Sequence, residues 1–488
     1  MKIYINDSTN SAKLLYYQSL VLMFLPCESF SQNDISDNAL YVDALVEKDK
    51  YVCNVSFVCG DNKATVSGEE IICFDKQNQM KNLIGRLILK AGFDLFGVIP
   101  PWGISTGVKP LKLARGYLEN FGTDEAYKIL CNDYSISPKK ASMAINASIN
   151  ESKIVSRFKN NPFSLYISIP FCPTKCNYCS FVSCTTPRLL SLIPQYLEKL
   201  KSDIVIASKT AKDAGLNLES VYFGGGTPAI LDAFQINELL ECVYKSFDIG
   251  DKCEVTFEAG RPECITKDKL LVLKRFGVNR ISVNTQSTND NVLKAIGRNH
   301  TYSDFLKAFE LARSVGFECI NTDLIAGLEG DDYKSFCKSV TDVAALEPEN
   351  ITVHAFTLKK SSNFRVSGTK NFSVNCKQAQ DMTDFAFDYL YNKEYSPYYV
   401  YRQKNTVGNL ENVGYSKRGF ESVYNVVMMG EYHTVLGCGA GSVTKVVADS
   451  GKTVNRIYAP KYPYEFIDDI KYQGFDCNKV LELLKKGD

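Results

Sequence analysis

The chain has 488 residues, of which 45% are hydrophobic and 23% charged, and its formal net charge is +1. That length suffices for two or three domains and a sizeable core, and a near-neutral balance gives no global electrostatic case for binding nucleic acid. No stretch approaches the apolar length of a membrane span, and residues 20–26 lack the basic flank and small-residue cleavage site of a signal peptide. There are 17 cysteines. In a chain this long, with no export signal, they point to a reducing, anaerobic, cytoplasmic setting instead of a disulfide framework. Cys27, Cys53, Cys59, Cys73, Cys131, Cys242, Cys253, Cys264, Cys319, Cys337, Cys376 and Cys477 stand alone in helix-like or strand-like runs and read as small buried hydrophobes.

Residues 1–155 form a first segment with α+β character. Residues 1–5, 40–57 and 65–74 alternate like strands. Residues 82–149 turn helical, interrupted at Pro100-Pro101-Trp102-Gly103, and Trp102, the single tryptophan, reads as a packing anchor in that turn. A regular rhythm starts at Leu165. Strand-like runs at 165–170, 220–223, 254–258, 280–284, 319–325 and 351–356 alternate with helical runs at 188–214, 233–247, 267–276, 290–295 with 303–315, and 332–346. Such alternation implies parallel strands with right-handed crossovers, and six units fit a partial or full α/β barrel spanning 156–375. In that fold the chemistry lies beyond the C-terminal ends of the strands. A helical stretch at 378–392 opens the last segment, 376–488. It continues as a loop-rich tail with Gly437-Cys438-Gly439-Ala440-Gly441 and ends helix-like from Tyr464, and it reads as a lid or accessory region.

Directly after the first barrel strand stands Phe171-Cys172-Pro173-Thr174-Lys175-Cys176-Asn177-Tyr178-Cys179. Three thiolates in one short loop can bind three irons of a 4Fe–4S cubane and leave the fourth without a protein ligand. A zinc site ordinarily needs a second cysteine pair downstream, and no clean pair appears. Cys184 is available as a fourth ligand, but three suffice. After the second strand, the glycines of Gly224-Gly225-Gly226-Thr227-Pro228 let backbone approach a ligand closely, which suits the amino-acid end of a nucleotide-like cofactor. Glu258 follows the third strand, where a buried carboxylate needs a partner such as an ammonium group. Gln286 and then Gly297-Arg298 follow the fourth, Asp323 stands at the fifth and His354 on the sixth. Any one of these is as well explained by capping or surface polarity; their recurrence at one end of successive strands is not.

Together these motifs resemble the radical SAM enzymes, and within them the oxygen-independent coproporphyrinogen III oxidase (dehydrogenase) family, HemZ-type branch. The closest phrases are at 166–183, 413–415 and 437–442, with a further likeness at Pro101-Trp102-Gly103 and Thr106-Gly107-Val108. The resemblance implies a radical SAM partial (β/α)6 barrel, TIM-like, with the N-terminal α+β domain and C-terminal accessory region added. It implies cluster ligation by Cys172, Cys176 and Cys179. Tyr166 would lie against cluster and cofactor. Gly225, Gly226, Thr227, Glu258, Gln286, Arg298 and Asp323 would bind one or two S-adenosylmethionine molecules, with Tyr166, Glu258 and Arg298 also serving catalysis. His354 falls where the family usually has a small residue, and Val443 falls at a family cofactor contact. The implied reaction turns two propionates of coproporphyrinogen III into vinyl groups, with an unidentified electron donor and acceptor as partners. Related alternatives are a heme chaperone and another radical reaction on a tetrapyrrole. An anionic tetrapyrrole would favour cations near the barrel mouth, for which Lys359, Lys360, Arg402, Lys417 and Arg418 are candidates. The sequence departs from the best-characterised oxidase branch at Phe181, where that branch has a further cysteine.

Overall fold

The computed structural model describes residues 1–25, 28–30, 37–73, 78–179, 181–357, 372–403, 406–448, 451 and 453–485, and of 372–376 and 407 only the backbone. The chain divides into two compact units, one of Met1–Ser148, Lys370–Asp384 and Val400–Glu411, the other of Ile149–Thr369, Phe385–Tyr399 and Asn412–Asp488. This division differs from three consecutive segments, because the last quarter of the chain contributes to both units.

The first unit holds a four-stranded sheet of β1 (Lys2–Asp7), β2 (Ala39–Glu47), β3 (Lys50–Cys59) and β4 (Asn62–Ile71), in that order. β1 lies parallel to β2, and β2 to β4 form an antiparallel meander. The period-two pattern explains the register: Leu40, Val42 and Ala44 on β2 and Cys53, Val55 and Phe57 on β3 are buried, while the intervening Tyr41 and Asn54 face outward. The helix Gln79–Phe96 covers that apolar face with Leu83, Ile84, Leu87, Ile88 and Ala91, the i, i+4 spacing of an amphipathic helix. Trp102 is fully buried and donates from Nε1 to Glu411 Oε2 at 2.6 Å, as a packing anchor would.

The second unit carries the six predicted parallel strands: β5 (Pro162–Ile169), β6 (Asn217–Gly225), β7 (Glu254–Gly260), β8 (Arg280–Val283), β9 (Cys319–Ala326) and β10 (Asn350–Ala355). They pair consecutively and in parallel. Both faces are covered, which is why a strand such as β8 is buried at all four positions, the polar Arg280 and Ser282 included. The crossover helices begin where expected, with capping boxes at Asp232 and Thr301. The C-terminal segment departs from its loop-rich reading. It supplies β11 (Ser396–Arg402), β12 (Glu411–Ser416), β13 (Thr434–Cys438), β14 (Val443–Ala448) and β15 (Thr453–Tyr458). These extend the sheet at both edges, in the order β11-β12-β10-β9-β8-β7-β6-β5-β13-β14-β15. β12 is antiparallel to β10, and β13 is parallel to β5. The strands are five to seven residues long, so each carries too little periodicity to be seen before its neighbour is known. Among the described residues no helix is long and apolar enough to cross a membrane.

Candidate active site

The cysteine loop leaves the end of β5 and is closed at its neck. Phe171 and Cys184 form a parallel bridge. The Cys172 N–H donates to Cys184 O at 3.1 Å and the Cys184 N–H to Pro170 O at 2.9 Å. Cys184 therefore acts through its backbone, at the base of the loop. Cys172 and Cys176 are buried and Cys179 is half-buried. Burial pushes the Cys179 thiol up, and the neighbouring Cys176 and Cys172 add to that, so the three sulfurs share one environment. Among the described residues no three His, Cys, Asp or Glu side chains close on a single ion; a cubane instead takes one thiolate per iron.

Two arginines hold this loop. Arg261, which follows β7 directly and is 4% exposed, donates to Thr174 Oγ1 at 2.8 Å, Thr174 O at 2.7 Å and Cys176 Sγ at 3.0 Å. It also pairs with Glu263 at 3.2 Å. The sequence reading passed over Arg261; its signal was its place immediately after a strand that ends in a glycine. Arg298 donates to Tyr178 OH at 3.0 Å, while its buried Nε and Nη1 have no partner among the described residues. The turn before Arg298 is also tied to the loop, since the Asn177 N–H and Nδ2 donate to Ile296 O and Ala295 O.

The glycine turn joins the loop to the interior of the sheet. The Gly226 N–H donates to Ile169 O and the Thr227 N–H to Phe171 O, both at 2.8 Å. Thr227 Oγ1 lies 3.4 Å from Cys172 Sγ. A Cβ on Gly226 would stand 2.5 Å from Phe171 O and 3.0 Å from Cys172 Sγ, and one on Gly224 would stand 3.1 Å from Glu258 Oε2 and 3.2 Å from the Tyr166 ring. A side chain at Gly226 would have to move the loop, and one at Gly224 would press on the Tyr222, Glu258 and Tyr166 side chains.

On the inner face, Tyr166, Tyr222 and Tyr424 stack. The centroids of Tyr222 and Tyr424 are 4.2 Å apart, and those of Tyr166 and Tyr424 5.9 Å. Tyr222 OH donates to Glu258 Oε1. Burial lifts the Glu258 carboxyl to about 7, against the Tyr222 hydrogen bond and with a further push from Asp323. Burial also raises Asp323, but the facing His354 and the Asn321 and Thr352 hydrogen bonds outweigh it and hold that carboxyl below its usual range. Gln286 has a left-handed backbone, φ 73°. Its N–H donates to Asp323 O at 2.9 Å and its carbonyl accepts from the Ile325 N–H at 3.0 Å, so the ends of β8 and β9 are locked together. The sequence-predicted residues thus fall into two connected groups: the cysteines, Gly226, Thr227 and Arg298 around the loop, and Tyr166, Glu258, Gln286 and Asp323 on the inner face.

Other candidates lie elsewhere. Arg402 is buried, donating to Ser105 O and Asn409 Oδ1. Lys417 and Arg418 follow the end of β12, which pairs with the start of β10, so they sit at the opposite end of the strands, and Lys417 donates to Glu347 O. Lys417 and Arg418 are therefore not mouth cations. Lys359 and Lys360 lie outside the described residues. Val443 begins β14 at the cysteine end of the sheet. A cavity of about 1000 Å³ opens at the other end, against Phe163, Leu218, Glu254, Arg280 and Cys319.

The donor set fits an iron–sulfur cluster. Three neighbouring thiols can supply one thiolate per iron, two arginines face the negative charge that such a cluster would carry, and Arg298 keeps two donors unpartnered among the described residues. Comparison with known proteins agrees. Residues 166–343 match the model of the radical SAM superfamily. The chain is 35% identical over 410 residues to the "oxygen-independent coproporphyrinogen-III oxidase-like protein HemZ" of Bacillus subtilis, covering 83% of this chain and 81% of that protein. It is 33% identical over 202 residues to the heme chaperone HemW of the same organism, spanning 41% of this chain and about half (52%) of that protein. The solved coproporphyrinogen III oxidase HemN of Escherichia coli shares the fold, with a TM-score of 0.51 at 22% identity over 66% of this chain and 72% of that one. The chain belongs to the radical SAM superfamily, in the family of HemZ-type oxidase-like proteins. Membership implies a 4Fe–4S cluster and S-adenosylmethionine, carried on the TIM-like partial barrel seen here.

Proposed function

We propose that this chain is a radical SAM oxidoreductase that converts propionate side chains of coproporphyrinogen III to vinyl groups without oxygen, giving protoporphyrinogen IX in the cytoplasm. The observation that carries this reading is that the likeness to the HemZ oxidase-like protein runs along 83% of the chain, well beyond the barrel shared with radical SAM proteins at large.

In this reading Cys172, Cys176 and Cys179 ligate the cluster, and Arg261 fixes the loop that presents them. The cluster with bound S-adenosylmethionine supplies, on one-electron reduction, the 5′-deoxyadenosyl radical that abstracts hydrogen. Gly225, Gly226 and Thr227 would hold the cofactor's amino-acid end. Arg298 offers its two open donors to a carboxylate. Glu258, lifted by burial, suits a partner that brings its own positive charge, and Gln286 and Asp323 complete the contact on the inner face. Tyr166 stacks beside that site and excludes water from it. Each propionate gives up one hydrogen atom, one further electron and CO2 to become a vinyl group, so an electron donor and an acceptor are required as partners. The barrel, residues 156–375, carries the chemistry, with 1–155 and 376–488 as accessory regions.

The test is anaerobic incubation of the reduced, reconstituted protein with coproporphyrinogen III. Both 5′-deoxyadenosine and vinyl products are expected. Deoxyadenosine without vinyl product would remove the substrate assignment, and absence of both would remove the radical reaction. A second reading, a heme-transfer protein, is favoured by the match to HemW; it predicts stable heme binding with no decarboxylation in the same incubation.

A further inference from the structure

Arg261 brings a fixed positive charge to a cysteine sulfur. Its side chain is buried, and all four N–H groups of its terminal nitrogens have acceptors. Nη1 donates to Thr174 Oγ1 at 2.8 Å and to Glu263 Oε1 at 3.2 Å. Nη2 donates to Thr174 O at 2.7 Å and to Cys176 Sγ at 3.0 Å. The planar fork therefore has no spare donor with which to turn away from the sulfur.

The far side of the fork is anchored as well. Glu263 Oε2 lies 3.4 Å from Nδ1 of His300, whose side chain is fully buried. Burial raises the Glu263 carboxyl, but the facing His300, its own backbone N–H and Arg261 outweigh it and hold it at about 2. At neutral pH Glu263 is thus a charged partner that keeps the guanidinium in place. The sulfurs are not treated alike: Cys172 Sγ has the neutral Thr227 hydroxyl 3.4 Å away, whereas Cys176 Sγ takes a hydrogen bond from a cation.

Hydrogen bonds to the sulfurs and local charge are among the factors that set the potential of an iron–sulfur cluster. A guanidinium stays protonated throughout, and a charge-assisted bond strengthens as its acceptor gains negative charge. One-electron reduction makes the cluster and its thiolates more negative, so such a donor favours the reduced form.

We propose that Arg261, held by Glu263, acts through the Cys176 sulfur to raise the reduction potential of the cluster, easing the entry of the electron that starts the reaction. This rests on the reading of Cys176 as a cluster ligand, and it goes beyond the bracing of the loop.

The test is a reductive titration of the anaerobically reconstituted full chain with dithionite and redox mediators, without S-adenosylmethionine or coproporphyrinogen. Visible absorbance and the electron paramagnetic resonance of the reduced cluster are followed, with iron content measured on every sample. Arg261→Gln is expected to disfavour reduction about tenfold, a fall of about 59 mV for one electron. Arg261→Lys, which keeps the charge but not the fork, should fall between that variant and wild type. Thr174→Val loses a brace of the loop but not the sulfur contact, and should stay at the wild-type potential. Should Arg261→Gln not hold iron, Arg261→Lys carries the test, and its potential must lie below wild type. A wild-type potential in the iron-replete Arg261 variants, an equal fall in Thr174→Val, or loss of iron from both Arg261 variants would overturn the proposal, the last by making Arg261 a brace alone. Failure of the wild type to take up iron would remove the underlying reading instead.

Discussion

His433 precedes β13 and is 4% exposed. Its Nε2 lies 2.8 Å from Ser164 Oγ, its ring rests 4.9 Å from that of Phe158, and Nδ1 has no partner among the described residues. With no carboxylate to compensate, burial drives its pKa from 6.5 down to about 3. The unfolded chain therefore takes up a proton near pH 6.5, whereas the folded one does so only near 3. The stability is present above pH 6.5 and is lost as pH falls toward 3, by an amount on the order of 4 kcal/mol. Denaturant unfolding across this range should show the loss in wild type, and His433→Gln, which keeps a hydrogen-bonding group but cannot titrate, should flatten it. An unchanged acid slope in that variant would assign the effect to other groups.

At the scale of an element, the cysteine loop depends on two neighbours that contribute only backbone. Gly226 admits no Cβ because Phe171 O and Cys172 Sγ occupy the space, and Cys184 closes the neck through its N–H and C=O. Three substitutions should therefore separate by iron content and colour after anaerobic reconstitution. Cys176→Ala loses both, because a cluster ligand is gone. Gly226→Ala also loses most of the iron although every cysteine remains, because the loop must move. Cys184→Ala retains iron, since alanine keeps the bridging backbone groups. Iron loss in Cys184→Ala equal to that in Cys176→Ala would make Cys184 a ligand.

At the scale of the whole molecule, the first unit is held by a buried charge network. Lys140 is fully buried. Its Nζ lies 2.7 Å from Glu411 Oε1 and 2.8 Å from Asp384 Oδ1, and Trp102 satisfies the other Glu411 oxygen. Three stretches far apart in sequence meet at these contacts. Lys140→Met would leave the buried Glu411 carboxylate without its cation, beside the partly exposed Asp384, and breaking a buried pair from one side costs about 3–5 kcal/mol. Trp102, as the single tryptophan, reports this unfolding directly by fluorescence. The exposed pair Lys50–Glu69 supplies the contrast: Lys50→Ala should leave the midpoint nearly where it was.

The cysteine spacing, the glycine turn and the six-fold strand–helix rhythm were legible in the chain by itself, because each is local: a loop of nine residues, a turn of five, an apolar period within one element. So was the placing of Glu258 and Asp323 in the C-terminal halves of β7 and β9 and of Gln286 and Arg298 after β8, since strands of a parallel sheet run toward one edge. Arg261, Tyr222, Tyr424 and Asn412 were not legible. Their importance lies in what they touch, and those partners, Cys176, Glu258, Tyr222 and His354 respectively, are 36 or more residues away in sequence. The edge strands β11 to β15 escaped for the same reason. A short strand is stabilised by pairing with its neighbour, and only the tertiary structure decides which neighbour that is. The sequence by itself determined the cysteine loop and the barrel that presents it; the folded chain decided which residues brace the loop, which cations stand near it, and that the tail completes the sheet.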